Sequence, residues 1–440
     1  MRLAPSTDAL GPNGIMGPGS GSSPRIDKHG HEHRLRGSRK PPSRDKYIVR
    51  YVGIDIASER HFVAVVDEAS ATIVKSTAFG EDAGGYSRLF ELIGPADGVA
   101  LVAMEATGHY WKNLFAALTA AGYLVALVNP LRTNRFAAED MTRTKTDAID
   151  ALGIARFAAQ KRPGPTRLSD SVTDELRELV RLRDRLMQDL GDRVRELHRI
   201  VDLGFPEFTR YVRTLDSELA TAILKDYPTA EAFVGIRPKA LSNLKYDGRH
   251  FVGLKLANEL IEAAKSSVGR HHGHAYRLQA KYFCQDIDTL RERLRQLDRE
   301  IERRLDDHEV GTLLTTIDGI GPGTAARIIA IIGDPAEFRD ERALAAYVGV
   351  IPALRQSGKR LAGRAGITPY GNAELRTALY MPTLTAVRHN VWLKAFYDRL
   401  VLAGKPKKLA IIAAMRKLLH AIYSVAKHRR PFVPNLEART

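Results

Sequence analysis

Cysteine is almost missing: Cys284 is the single thiol in 440 residues, so neither a disulfide framework nor a Cys-based zinc site can form within one chain. A reducing compartment is expected, the cytoplasm, with nucleoid association when the chain is bound to DNA. Long apolar runs are lacking too. None approaches the roughly 18 uninterrupted residues needed to cross a bilayer, which argues against an integral membrane protein. Acidic residues are in deficit, 51 Asp plus Glu against 67 Lys plus Arg, and the resulting +16 at pH 7 favours a polyanionic partner. What is present, 44% hydrophobic and 27% charged residues, describes a globular chain. At roughly 100–200 residues per domain, its length suggests two to four domains.

Residues 1–46 are rich in Gly, Pro, Ser, Arg and His, with almost no apolar periodicity, and read as a disordered basic tail without the apolar core of a signal peptide. Met16 within it is a candidate alternative start. From Tyr47 the pattern changes. YIVRYVGID, HFVAVVD and ATIVKSTAF read as three successive strands, each a short run rich in β-branched residues and bounded by turn residues. A helix near 85–93, a buried strand GVALVAME, a helix HYWKNLFAALTAAG, a strand YLVALVNP and a helix TDAIDALGIARFAAQ follow. The order is βββαβαβα, an α/β domain over 47–165 that ends near Arg162-Pro-Gly-Pro165.

The region 166–310 is expected to be helical. Leu176, Leu179, Leu186, Leu190, Val194, Leu197 and Val201 recur at near-heptad spacing, as do Ile287, Leu290, Leu294, Leu297, Ile301 and Leu305. Charge crowds the positions between them, which leaves narrow seams suited to an antiparallel hairpin or an oligomerising coiled coil, and equally to packing on a neighbouring domain. The region 311–440 reads as mainly α. Its Gly319-Ile-Gly-Pro-Gly323, between two helical patterns, resembles a helix–hairpin–helix whose backbone N–H groups face a phosphate, or else a tight αα-turn.

Four carboxylates stand out by placement. Asp55 ends the first strand, Glu105 ends the fourth, and Asp147 and Asp150 open the helix after the fifth, three residues apart and so on one side of it. Strand ends and helix starts are where an α/β sheet presents a site. Singly, each has a plainer reading as a turn acid or as a complement to a helix dipole. Together they would repel one another unless hard cations sat among them, and paired Mg²⁺ ions activate an attacking oxygen and stabilise a leaving one at a phosphodiester.

The motifs GIDIAS, MEATGHYWKNL, RTKTDAIDA and YVGVIPALRQSGK followed by ITPYGNAELR resemble those of the DEDD transposases of a bacterial insertion-sequence family, the bridge-RNA-guided recombinases related to the Piv DNA invertase. The resemblance runs from about Tyr47 to Phe432. It implies an RNase H-like (RuvC-type) fold for the first domain and a C-terminal transposase domain over 311–440. It also implies a Mg²⁺-binding set of Asp55, Glu105, Asp147 and Asp150, with the nucleophilic serine falling on Ser357. Donor and target DNA and a guide (bridge) RNA are the implied partners. The acidic site and the serine would come from different subunits, making the protein a homo-oligomer, dimer or tetramer. On physical grounds a lone Ser in a Gly/Lys loop is usually inert, although Arg355, Lys359, Arg360 and Arg364 supply a positive field that suits a phosphate. With Lys405, Lys407 and Lys408 these residues form the expected nucleic-acid-binding set. The expectation is a transposase that cleaves and rejoins DNA. Its rivals are an invertase of the same type, a RuvC-like nuclease that uses water, and a silent nucleic-acid binder.

Overall fold

The computed structural model describes residues 48–106, 108–139, 147–167, 170–351, 356–357, 360–361 and 371–434. The expected tail 1–46 lies outside them. The chain divides into two compact units, Met1–Thr166 and Arg167–Thr440.

In the first unit, strands β1 (Arg50–Asp55), β2 (Arg60–Asp67) and β3 (Thr72–Gly80) are followed by α1 (Ala83–Ile93), β4 (Val99–Glu105), α2 (Trp111–Ala120), β5 (Val125–Val128), α3 (Pro130–Glu139) and α4 (Asp147–Lys161). The strands form one sheet in the order β3-β2-β1-β4-β5. β1, β2 and β3 are antiparallel neighbours, and β4 and β5 run parallel to β1. Both faces are covered, which is why the central strands read as nearly continuous apolar runs. One face packs Val52, Ile54, Val102 and Met104 against Leu89, Ile93, Leu114 and Phe115 of α1 and α2. The other packs Tyr51, Leu101, Ala103 and Val128 against Phe136 of α3 and Ile154, Ala155 and Ala158 of α4.

Helix α3 departs from the expected order, in which residues 130–139 connect a strand to the last helix. Its composition, PLRTNRFAAE, is polar on average and offers only a short inward face, Thr133 and Phe136. Instead, Pro130 opens the helix, the Asn129 side chain accepts from Leu131 N at 2.9 Å, and Phe136 meets Phe157 edge-on at 5.5 Å.

The second unit contains α5 (Ser171–Gly204), α6 (Phe208–Tyr211), α7 (Glu218–Asp226), α8 (Pro238–Ser242), a ribbon of β6 (Lys245–Tyr246) and β7 (His250–Phe251), and α9 (Leu254–Lys265). It continues with α10 (His274–Asp306), α11 (Glu309–Leu314), α12 (Pro322–Ile332), α13 (Glu341–Val348), a ribbon of β8 (Gln356–Ser357) and β9 (Arg360–Leu361), α14 (Ala373–His389), α15 (Val391–Leu402) and α16 (Lys407–His428). α5 and α10 lie antiparallel: Glu175 pairs with Arg304, Arg183 with Asp298, Arg193 with Asp286, and Arg199 with Gln279. Such exposed pairs contribute little, about 0–1 kcal/mol each. The buried seam of Leu176, Val180, Leu197, Leu294, Leu297 and Ile301 carries the stability, at about 1.5–3 kcal/mol per fully buried side chain. One end of the pair joins a core with α6–α9 and the other a core with α11–α16.

Two details qualify the sequence reading. Gly319 has φ +100°, and a Cβ there would sit 2.8 Å from Ala386 Cα, so the turn before α12 requires glycine on both counts. Helix α16 has the length and apolarity to cross a bilayer, contrary to the expectation that no segment does; its charges had hidden this, because they interrupt each apolar run. Ala410, Ala414, Leu418 and Ile422 on it are buried in the second unit, as in a core helix.

Candidate active site

Alternation along the pleat decides where the first two acids point. Tyr51, Gly53 and Asp55 share the α4 face of β1, and Leu101, Ala103 and Glu105 share the same face of β4. The parallel register pairs Ile54 with Met104, so the next step sets Asp55 beside Glu105 at the carboxyl ends of adjacent strands. Both are half-buried.

Helix α4 brings the second pair of acids to this edge. Its backbone lies directly over Gly53: a Cβ added there would collide with Ala155 N and Ala151 O and stand 2.7 Å from Ala155 Cα. Beyond its other end, the Arg162 guanidinium lies 5.9 Å over the Tyr51 ring and pairs with Glu68. The helix therefore runs antiparallel to β1, and its N-terminus, with Asp150 half-buried, comes to the Asp55 end. The partial positive charge of that terminus favours carboxylates nearby. Asp147 begins the helix, but its side chain lies outside the described residues.

Oxygen-only donors of this kind suit a hard divalent cation such as Mg²⁺. Among the described residues, no three His, Cys, Asp or Glu side chains form a group able to hold an ion. Asp55, Glu105 and Asp150 are thus acids brought to one edge, without a finished coordination shell among them.

Two neighbours of these acids escape sequence reasoning. The Thr133 hydroxyl, 7% exposed on α3, donates to Glu105 Oε1, with Pro130 O at 3.0 Å as its alternative acceptor. On the opposite face of the sheet, buried His61 bonds Glu81 and the backbone just after Asp55. Pro130 at a helix start was a legible signal for the first. The second had only a histidine at an inward strand position.

Ser357 lies in the second unit. Its backbone pairs with that of Arg360 and Gln356 with Leu361, two short antiparallel strands where the sequence suggests a loop. The side chains of Ser357 and Arg360, and all of Arg355, Lys359 and Arg364, lie outside the described residues. Lys405, Lys407 and Lys408 are exposed where α16 begins, a helix end that repels cations and favours an anion beside them.

Residues 52–206 match the transposase domain model of the DEDD type found in IS110 elements, and residues 311–398 match the model described as the transposase IS116/IS110/IS902 family. The chain is 27% identical over 335 residues to the pilin gene-inverting protein of Moraxella lacunata, covering 75% of this chain and 80% of that one. It is 27% identical over 393 residues to the insertion element IS116 uncharacterized 44.8 kDa protein of Streptomyces clavuligerus, with 87% and 96% covered. The transposase for insertion sequence element IS1111A of Coxiella burnetii is 22% identical over 362 residues, with 80% and 84% covered.

Proposed function

We propose, from the premise that the chain belongs to the IS110/IS116 family of transposases and is a DNA-processing enzyme, that it cuts and rejoins DNA strands through an acidic Mg²⁺ site and a serine nucleophile. The observation that carries this reading is the convergence of Asp55, Glu105 and the Asp150 end of α4 on one sheet edge. The sheet order, with an antiparallel β1-β2-β3 meander and parallel β4 and β5, agrees with an RNase H-like, RuvC-type domain over 47–165. We divide the remainder into a helical, coiled-coil-like region over 166–310 and a transposase domain over 311–440.

Asp55, Glu105, Asp147 and Asp150 would hold the metal, and bound Mg²⁺ supplies Lewis acidity toward phosphate oxygens. The Ser357 oxygen attacks the scissile phosphorus and gives its proton to a nearby base or water. The bond to the departing strand breaks, and that strand leaves as a hydroxyl after taking a proton. A phosphoserine link to the other strand results. A strand hydroxyl then attacks that link and frees the serine, so rejoining needs no external energy source. The positive field of Arg355, Lys359, Arg360 and Arg364 suits the phosphate in both steps. Guide RNA, subunit exchange of the serine loop and action on nucleoid DNA in the cytoplasm complete the reading, and rest on family resemblance. Inversion is the specific alternative outcome, since one relative is named a pilin gene-inverting protein.

The test is denaturing electrophoresis of the protein mixed with labelled DNA, co-purified RNA and Mg²⁺. A protease-sensitive shifted band is expected for the native chain, and its loss in Ser357→Ala, Asp55→Asn and Glu105→Gln. A band surviving in Ser357→Ala removes the serine from the mechanism, and cleavage without any adduct favours a water-using nuclease.

A further inference from the structure

His61 is fully buried on β2, with its side chain on the face away from the acids, the face that Ile54 and Val63 share in the core of α1 and α2, and 5.1 Å from the Phe79 ring. A polar ring at such a position needs partners for both nitrogens. Nδ1 lies 3.3 Å from Ala57 N, and Nε2 lies 2.7 Å from Glu81 Oε2. A backbone N–H only donates, so Nδ1 carries no proton and Nε2 carries the ring's one hydrogen. Glu81 also accepts from Tyr86 Oη at 2.8 Å and from Asn113 Nδ2 at 3.1 Å. Burial raises the Glu81 pKa, but the bonds from Tyr86, His61 and Asn113 outweigh it and leave the carboxyl below its usual range. The Tyr86 phenol is pushed upward by burial and by that carboxylate.

Every proton in this network has one consistent place. It runs from α1 and α2 through Glu81 and His61 to Ala57, two residues beyond Asp55. Strand pairing ends at Asp55, so the turn 56–59 has no ladder bond at Ala57 to hold it.

We propose that His61 is a positioning residue for the acidic site: by accepting from Ala57 N it fixes the backbone that leaves Asp55, and so the direction of the Asp55 carboxylate. The inference rests on the reading of Asp55 as a metal-site acid. A general packing role predicts that any His61 substitution acts through stability alone.

Two variants separate the bonds. In His61→Asn, Oδ1 takes the place of Nδ1 and accepts from Ala57, while the reach to Glu81 is lost. In His61→Gln, the longer amide reaches Glu81 and leaves Ala57 N without its acceptor. Mg²⁺ is titrated in the cleavage assay, and Tm is recorded for each variant. His61→Gln is expected to raise the Mg²⁺ needed for half-maximal cleavage about 10-fold or more, the usual scale for losing a residue that orients a ligand. His61→Asn should shift it far less, at a similar Tm loss. Equal shifts in the two variants, or none, overturn the inference.

A second readout needs neither metal nor DNA. In ¹⁵N-histidine-labelled protein, His61 should show an unprotonated Nδ1, and Ala57 amide exchange should be faster in His61→Gln than in His61→Asn. A protonated Nδ1 overturns the inference even if Asp55 is essential. Wild-type cleavage by Asp55→Asn instead defeats the metal-site reading and leaves the His61–Ala57 bond to be judged by this readout alone.

Discussion

Gly53 and Ala155 touch through their backbones: no side chain fits at position 53 between β1 and α4, because a Cβ there would stand 2.7 Å from Ala155 Cα and closer still to Ala155 N. This contact sets the depth and direction of α4 on the sheet, and with them the distance of its N-terminal acids from Asp55. A residue with no chemistry of its own therefore governs the geometry of those that have it.

Gly53→Ala should separate α4 from β1. Overpacking of this kind costs about 1–3 kcal/mol, read as a lowered urea midpoint, and strand cleavage should fall by more than the folded fraction does. A variant that unfolds earlier yet cleaves normally, once corrected for the folded fraction, would disconnect the helix position from the acids.

Thr133→Val removes the hydroxyl that donates to Glu105 while keeping the volume. With Glu105 in the metal-site role proposed above, cleavage at limiting Mg²⁺ should drop about 10–100-fold, the scale for losing a residue that orients a ligand, and Thr133→Ser should recover most of it. Equal activity in the valine and wild-type proteins would make the bond incidental.

The placement of Asp55 and Glu105 at strand ends and of Asp147 at a helix start is legible in the sequence, because the β-branched runs and their bounding residues mark those ends. Sequence could also place Asp55 and Glu105 on strands, but not on one face of adjacent ones, since that depends on the β1–β4 register. α3 escapes the sequence because its inward face is only Thr133 and Phe136, too short for a period, and the Asn129 bond and Phe136–Phe157 contact at it are local or tertiary. The antiparallel lie of α5 and α10 was one of several readings of two narrow seams, and partner choice between Glu175 and Arg304 is a tertiary fact.

Asp170 caps α5: its carboxylate accepts from Thr173 N at 2.8 Å and Thr173 Oγ1 at 2.8 Å, and Thr173 Oγ1 lies 3.0 Å from His308 Nε2, whose Nδ1 accepts from Gly311 N. Burial raises the Asp170 pKa, but the two Thr173 bonds and the nearby His308 outweigh it and hold it below the usual 3.8. A lowered folded-state pKa stabilises above the unfolded value, and this is lost as pH falls through the folded one. Asp170→Ala should cost about 1 kcal/mol at pH 7, the scale of a lost helix cap. The gap from wild type should close in denaturant melts as pH drops below 3.8. A gap that stays constant down to acid pH would show that the charge is irrelevant.

Lys405, Lys407 and Lys408 stand exposed together at the start of α16, where the helix end disfavours three cations unless an anion answers them. Phosphate contacts release counterions, so each lysine that meets a phosphate adds about 0.9 to the slope of log affinity against log salt on duplex DNA. Replacing all three by alanine should make that slope shallower by about 2–3 units and weaken binding to every DNA sequence alike, since phosphates carry no sequence. The titration runs from about 50 to 200 mM salt, with deletion of residues 1–44 as the comparison. An unchanged slope in the triple variant, with collapse in the deletion, would move the binding charge from α16 to the tail.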